Sequence, residues 1–294
     1  MPPDPRLDFE QQFQELRPVL FSLAYRMLGT RADAEDVVQE AWLRWESAAK
    51  EDIRLPKSFL TTVVARLSLD ALKAAHRKRE TYVGPWLPEP IVEPSGSHTV
   101  EVAETLSIAF LHILESLSPA ERVAFLLREA FDTNYDEIAT VLDTSEQNSR
   151  QLVARARKHM DDRRPRFPVD RVRHQKMLEE FLTACASGDA SELTHLLSED
   201  VVLYSDGGGK IPAALNPIHG SDHVAKLLLG LARRGGAAAR IQFATVNGEP
   251  GAVMIEPSGI VTVMTIELDS QGRLSRLFFM RNPEKLAGDA LTRV

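Results

Sequence analysis

Prolines divide this chain before any other feature does. Pro85, Pro88, Pro90 and Pro94 crowd one stretch, together with Gly84 and Gly96, and Pro165 and Pro168 interrupt the chain again further on. A proline lacks the N–H that a helix or inner strand needs and its ring clashes with the preceding turn, so neither stretch continues a regular helix. The 294 residues thus fall into blocks, a length that itself suits two or three domains better than one.

The blocks differ in pattern. In the first, over 8–80, Leu16, Leu20, Leu23, Ala24, Met27 and Leu28 recur at helical spacing and stop at Gly29. A second helix opens on Asp33-Ala-Glu-Asp, with acids where the helix dipole favours them, and carries Val37, Val38, Ala41, Trp42 and Trp45 inward. After Leu55-Pro56 a third helix runs 58–78 on Phe59, Val63, Val64, Leu67, Leu69, Ala71 and Leu72. A Pro-rich linker spans 81–100, and a second helical block spans 101–165. The last block, 169–294, begins with helical pattern and ends in four strand-like runs separated by Asn247-Gly248, Ser258-Gly259 and Gln271-Gly272, pairs suited to hairpin turns. Helices followed by an antiparallel meander predict an α+β domain with helices on one face of a curved sheet.

Within the second block, Ser118-Pro119-Ala120-Glu121 has the form of a capped helix start. Asn134-Tyr-Asp-Glu137 repeats the capping box, and Thr144-Ser-Glu-Gln147 supplies a third. Two short helices joined by a tight turn over 134–160 predict a helix-turn-helix, whose second helix enters the major groove of duplex DNA. Gln147, Asn148, Arg150 and Gln151 are the types that read base edges, while Arg155, Arg157 and Lys158 suit phosphates. Val153 and Ala156 face inward.

Composition bounds the rest. The net charge of −7 argues against a general nucleic-acid binder, but the charges are segregated: residues 150–166 and 73–79 are basic, 33–40 and 129–146 acidic. The one cysteine excludes an internal disulfide framework and fits a reducing cytosol without establishing one; a cytoplasmic location is the expectation. The N-terminus has no signal-peptide pattern, and no apolar run approaches the roughly 20 residues that span a membrane.

In the first block, Asp36, Gln39, Glu40 and Leu43 share one helical face. The string Asp33-Ala-Glu-Asp-Val-Val-Gln-Glu-Ala-Trp-Leu-Arg-Trp45 resembles the core-binding segment of sigma factors, and 56–70 resembles the adjoining promoter-melting helix. With the helix-turn-helix behind them, the order is similar to a group 4 (extracytoplasmic-function) sigma factor, which has only the second and fourth sigma domains. The resemblance implies that the acidic stripe docks on the clamp helices of core RNA polymerase. It implies that Lys57, Phe59, Thr61, Thr62 and Arg66 hold the unstacked −10 strand, with Phe59 or Trp86 as stacking surface, and that the helix-turn-helix reads the −35 element.

The last block resembles a SnoaL-like, NTF2-like cone, as in the sigma-J-like subgroup. Trp86-Leu-Pro-Glu-Pro90, Asp206-Gly-Gly-Gly-Lys210 and Asn282-Pro-Glu-Lys-Leu286 carry that likeness; the last has Glu284 where Asp is usual. The expected architecture is two all-α sigma domains followed by an α+β cone. By resemblance, Trp86, Pro88, Asp206, Gly207, Gly208, Gly209, Lys210, Asn282, Pro283 and Lys285 make regulatory contacts, and the cone takes the place of a separate anti-sigma protein. The glycines permit left-handed backbone and close approach. Because cone folds also host cyclases and isomerases, Asp206, His219, Asp222 and His223 are weighed as acid/base groups, and ligand sensing as a further role. An operator-binding regulator would not need the 33–45 motif. The sequence implies no enzyme activity, cofactor or metal.

Overall fold

The structure is a computed structural model describing residues 5–48, 53–79, 81–95, 107–161, 170–234 and 238–287, with the backbone alone at 5–8 and 76–79. The basic run at 73–79 and the prolines at 165 and 168 therefore lie largely or wholly outside the described side chains. The chain forms two compact units: residues 1–80 with 113–163, and residues 81–112 with 164–294.

The first unit is all helical. α1 (Pro5–Leu28), α2 (Arg31–Ser47) and α3 (Pro56–Arg79) pack on one another. α1 ends at Gly29, φ 74°. The Thr30 side chain then caps α2, two residues earlier than the acidic string suggested. Val37, Val38, Ala41 and Trp45 are buried as the periodicity predicts, and Trp42 is half-buried. On α3 the buried face is Leu60, Thr61, Val64, Ala65, Ser68, Leu69 and Leu72, rotated from the predicted set. α5 (Pro119–Phe131) begins with the full Ser118/Glu121 capping box. α6 (Tyr135–Leu142) and α7 (Glu146–Asp161) follow, with a left-handed Asp143 (φ 50°) in the turn between them.

Among its described residues the second unit holds a seven-stranded sheet in the order β1-β4-β5-β6-β7-β2-β3. These strands are β1 (Val92–Pro94), β2 (Leu197–Asp206), β3 (Ile218–His219), β4 (Arg240–Val246), β5 (Glu249–Ile255), β6 (Val261–Leu268) and β7 (Leu274–Met280). The meander β4 to β7 is antiparallel and β7 pairs parallel with β2. Alternation gives the sheet two apolar faces. Ala252, Met264, Ile266, Leu277 and Phe279 face one core with α8 (Arg171–Ser187), α9 (Ala190–Leu196) and α10 (Ser221–Arg233). Val253, Val263, Phe278 and Met280 face the other.

That second face is covered by the Pro-rich segment. Leu87, Val92, and Ile108 and Ala109 of α4 (Ile108–Leu114) pack against it, and the His112 ring lies 4.5 Å from that of Tyr204. β1 adds to the edge strand β4 with Pro94 opposite Ala244; a proline is tolerated there because an edge residue needs no outward donor. Ile91 N–H donates to Asn247 Oδ1 at 2.9 Å, and Asn247 N–H returns a bond to the Ile91 carbonyl at 2.8 Å. The Pro-rich linker is thus, over 81–95, part of the sheet-containing unit.

His174 on α8 is buried, and its Nε2 lies 3.0 Å from the Ile266 carbonyl. A carbonyl only accepts, so Nε2 carries the proton. Burial, and secondarily the Arg171 charge, depress the imidazole pKa to about 4 against the bond that favours the cation. A histidine held neutral stabilises the fold above its unfolded pKa of about 6.5, and that stabilisation is lost as pH falls towards 4. Urea unfolding at pH 7 and 4.5 should show wild type losing roughly 2–3 kcal/mol relative to His174→Gln; parallel profiles would contradict the assignment.

Candidate nucleic-acid interface and linker contacts

On α7 the side chains divide into an inner and an outer face. Ser149, Leu152, Val153, Ala156 and Met160 are buried, leaving Gln147, Arg150, Gln151, Arg155, Arg157 and Lys158 exposed and Asn148 half-exposed. The helix starts one residue later than the third box implied: Ser145 Oγ accepts from Asn148 N–H at 3.2 Å, while Thr144 Oγ1 accepts from Asn148 Nδ2 at 2.9 Å. Several cations are already engaged. Arg155 pairs with Glu121 at 2.9 Å, Arg157 with Glu129 at 2.6 Å and Arg150 with Glu146 at 2.5 Å. Arg150 also lies 4.3 Å over the Tyr135 ring. These exposed pairs are individually weak, so phosphates can compete for the same guanidiniums.

On α2, Asp36, Gln39 and Leu43 are exposed and Glu40 half-exposed, paired with Arg44 at 3.1 Å. Leu43 keeps 52% of its surface in solvent. On α3, Lys57 and Arg66 are exposed and Thr62 is half-exposed. Thr61 corrects the sequence assignment: only 6% exposed, it lies with Leu60 and Val64 on the core face and is not on the surface row. Phe59 is half-buried, its ring 6.0 Å from Trp45.

Helix α3 also lies against α6. Arg66 Nη2 donates to the Thr140 carbonyl at 2.7 Å, and Ser58 Oγ to Glu137 at 2.7 Å. In the same unit Arg122, only 2% exposed, donates to the carbonyls of Leu114 (2.9 Å) and Met27 (2.6 Å) and pairs with Glu115 at 2.6 Å. No local pattern singled out Arg122, because its partners lie outside its own helix, Met27 on a distant segment.

In the second unit the regulatory candidates converge on Asp206, which is wholly buried. Its Oδ1 accepts from the Tyr82 hydroxyl at 2.6 Å and Gly208 N–H at 3.0 Å; its Oδ2 accepts from Leu87 N–H at 2.9 Å and Lys285 Nζ at 2.7 Å. Lys285 also donates to the Leu87 carbonyl at 2.5 Å and lies 4.1 Å over the Trp86 ring. Asn282 Nδ2 donates to the Tyr82 oxygen at 2.9 Å. Burial and the Asp206 carboxylate push the Tyr82 hydroxyl well above its ordinary pKa, so it stays a donor. Pro88 is buried and Trp86 half-buried within this cluster, so Trp86 serves Lys285 here. Lys210 pairs with Glu284, the residue that departs from the usual tail string. Tyr82 is a contributor the sequence did not single out, and Leu87, inside the Trp86–Pro90 string, contributes through its backbone.

Asp206 is therefore fully engaged, while His219, Asp222 and His223 are exposed elsewhere, with His223 Nδ1 donating to the His219 carbonyl. The acid/base set does not converge. Among the described residues no group of His, Cys, Asp and Glu is placed to hold a metal, and no helix is long and apolar enough to cross a membrane.

Residues 12–78 match the family model of sigma-70 region 2, and residues 107–160 that of sigma-70 region 4. The chain is 40% identical over 298 residues to the ECF RNA polymerase sigma factor SigJ of Mycobacterium tuberculosis, covering 95% of this chain and 94% of that one. It is 30% identical to the probable ECF RNA polymerase sigma factor SigI of the same species, covering 92% of each. The crystal structure of SigJ superposes with a TM-score of 0.79 at 39% identity, covering 94% of this chain and 98% of that chain. Two helical sigma regions with a sheet domain behind them define a sigma factor with a C-terminal extension. The chain belongs to the ECF RNA polymerase sigma factors, and it is a transcription-initiation factor and not an enzyme.

Gly208 has φ +62°, and a Cβ there would lie 2.4 Å from Asn282 Nδ2. Gly208→Ala should displace Asn282 from Tyr82. Hydrogen exchange over residues 81–95 should then be at least several-fold faster than in wild type; unchanged exchange would show that the contact does not hold the linker.

Proposed function

We propose that α2 docks on the clamp helices of core RNA polymerase through Asp36, Gln39, Glu40 and Leu43. An acidic row around an exposed leucine suits a basic coiled coil, since the charges steer encounter and the apolar side chain supplies burial. Lys57, Phe59, Thr62 and Arg66 then hold the single-stranded −10 element, and α7 reads the −35 duplex through Gln147, Asn148, Arg150 and Gln151 with Arg155, Arg157 and Lys158 on phosphates. The chain works in the cytoplasm, where its polymerase is.

Arg66 and Ser58 are engaged by α6 in the closed first unit. On this reading the two sigma domains separate when polymerase is bound, and the promoter strand takes over Arg66. The segment joining those domains is held by the cone through Asp206, so the cone governs that separation in cis and takes the role of a separate anti-sigma protein. The observation that carries this reading is the fully bonded Asp206 carboxylate, which ties the linker to the loop and tail of the cone.

The test uses full-length variants with purified core polymerase. Leu43→Asp should lose co-purification with core. Arg150→Ala combined with Gln151→Ala should keep core binding and lower initiation at a −35-dependent promoter about tenfold or more, the scale of a lost base-edge contact. Full core binding by Leu43→Asp would overturn the docking assignment, and undiminished initiation by the α7 variant would overturn the −35 assignment.

A further inference from the structure

The helix-covered side of the cone holds a pocket that none of the contacts above uses. It opens between the C-terminal halves of α8 and α10 and the sheet, has a volume of about 80 Å³, and is walled by Phe181, Cys185, Leu228, Met254, Met264 and Phe279. No charged side chain lines it. A water needs roughly 10–15 Å³ of such space and two to four polar partners. This pocket has room for several waters and offers them almost no partners, so water fills it poorly.

Its chemistry fixes the class of occupant. A charged ligand would lose its hydration with nothing to replace it, whereas apolar surface entering such a site is favoured. An engineered apolar cavity of about 150 Å³ holds benzene; here the space is smaller, but one side is open, and Met254 and Met264 are flexible walls that adapt to shape. The Cys185 thiol, the single cysteine of the chain, is pushed up to about 12 by burial, so it stays a protonated wall atom that reacts only slowly with a disulfide reagent entering the pocket.

The pocket is also back to back with the linker's seat. Phe279 of β7 faces the pocket, while its neighbours Phe278 and Met280 face the core under Leu87 and Val92. Two residues after Met280 the same segment reaches Asn282, which bonds Tyr82. We propose that this pocket binds a small uncharged apolar molecule, on the scale of one hydrocarbon ring, and that its filling tightens the hold of the cone on the linker through β7. The binding claim rests on the cone alone and stands or falls independently of polymerase binding.

The experiment uses the full chain with toluene as ligand and benzoate as its charged counterpart. Toluene at millimolar concentration should slow modification of Cys185 by neutral 2,2′-dithiodipyridine at least threefold, and benzoate should not. Ala232→Phe, at the mouth of the pocket, should abolish the protection. Should that variant misfold, methyl NMR of Met254 and Met264 in wild type decides the same point, with toluene shifting both signals. No protection and no methyl shift, or equal protection by benzoate, overturns the site. With Cys185 protected, hydrogen exchange over residues 81–95 should slow at least twofold; unchanged exchange there overturns the link to the linker.

Discussion

A single buried carboxylate organises the second half of this protein. Removing a charge from water costs several kcal/mol, and only close, well-placed partners offset it. Asp206 receives one cation and three neutral donors, and these come from three separate stretches: Tyr82 and Leu87 from the linker, Gly208 from the glycine loop, and Lys285 from the tail. Each stretch is tolerable in its place because the others are there. Losing Lys285 would leave the carboxylate buried without its counter-charge; losing Asp206 would leave Lys285, only 9% exposed at its side chain, in the same condition.

This carboxylate pins a segment whose second task is to cover apolar surface. A sheet with apolar residues on both faces needs a layer on each. Helices α8, α9 and α10 cover one face, and the Pro-rich stretch covers the other, where Leu87 is wholly buried. Proline excludes that stretch from helix but not from extended contact at a sheet edge, which explains how it joins the cone. A chain cut near residue 164 would therefore strip the linker of its seat and expose both surfaces. Point changes at the Asp206 cluster are the cleaner probe of regulation.

Much of the first unit was legible because its signals are local. The Ser118 capping box, the inward Val153 and Ala156 and the outward Asp36, Gln39 and Leu43 follow from helical spacing, and the observed burial agrees at those positions. Thr61 was misplaced because a threonine fits a core face as readily as a surface one, and a small rotation of α3 decides between them. The cap of α7 slipped by one residue because Thr144 and Ser145 are both good caps. Arg122, Tyr82 and the pairs of Arg155 and Arg157 with Glu121 and Glu129 were not legible, since each depends on residues brought together only by tertiary packing. The three cone strings were found as strings, but their meeting at one carboxylate is a fact of the fold.

The proposal that the Asp206 cluster, by holding the linker, sets promoter output can be tested directly. The most direct measurement is promoter-specific transcription by core polymerase reconstituted with wild type, Lys285→Met or Asp206→Asn, with linker release checked by hydrogen exchange. Both variants should release residues 81–95 and change initiation at least threefold relative to wild type. Released linkers with wild-type initiation in both variants would contradict it.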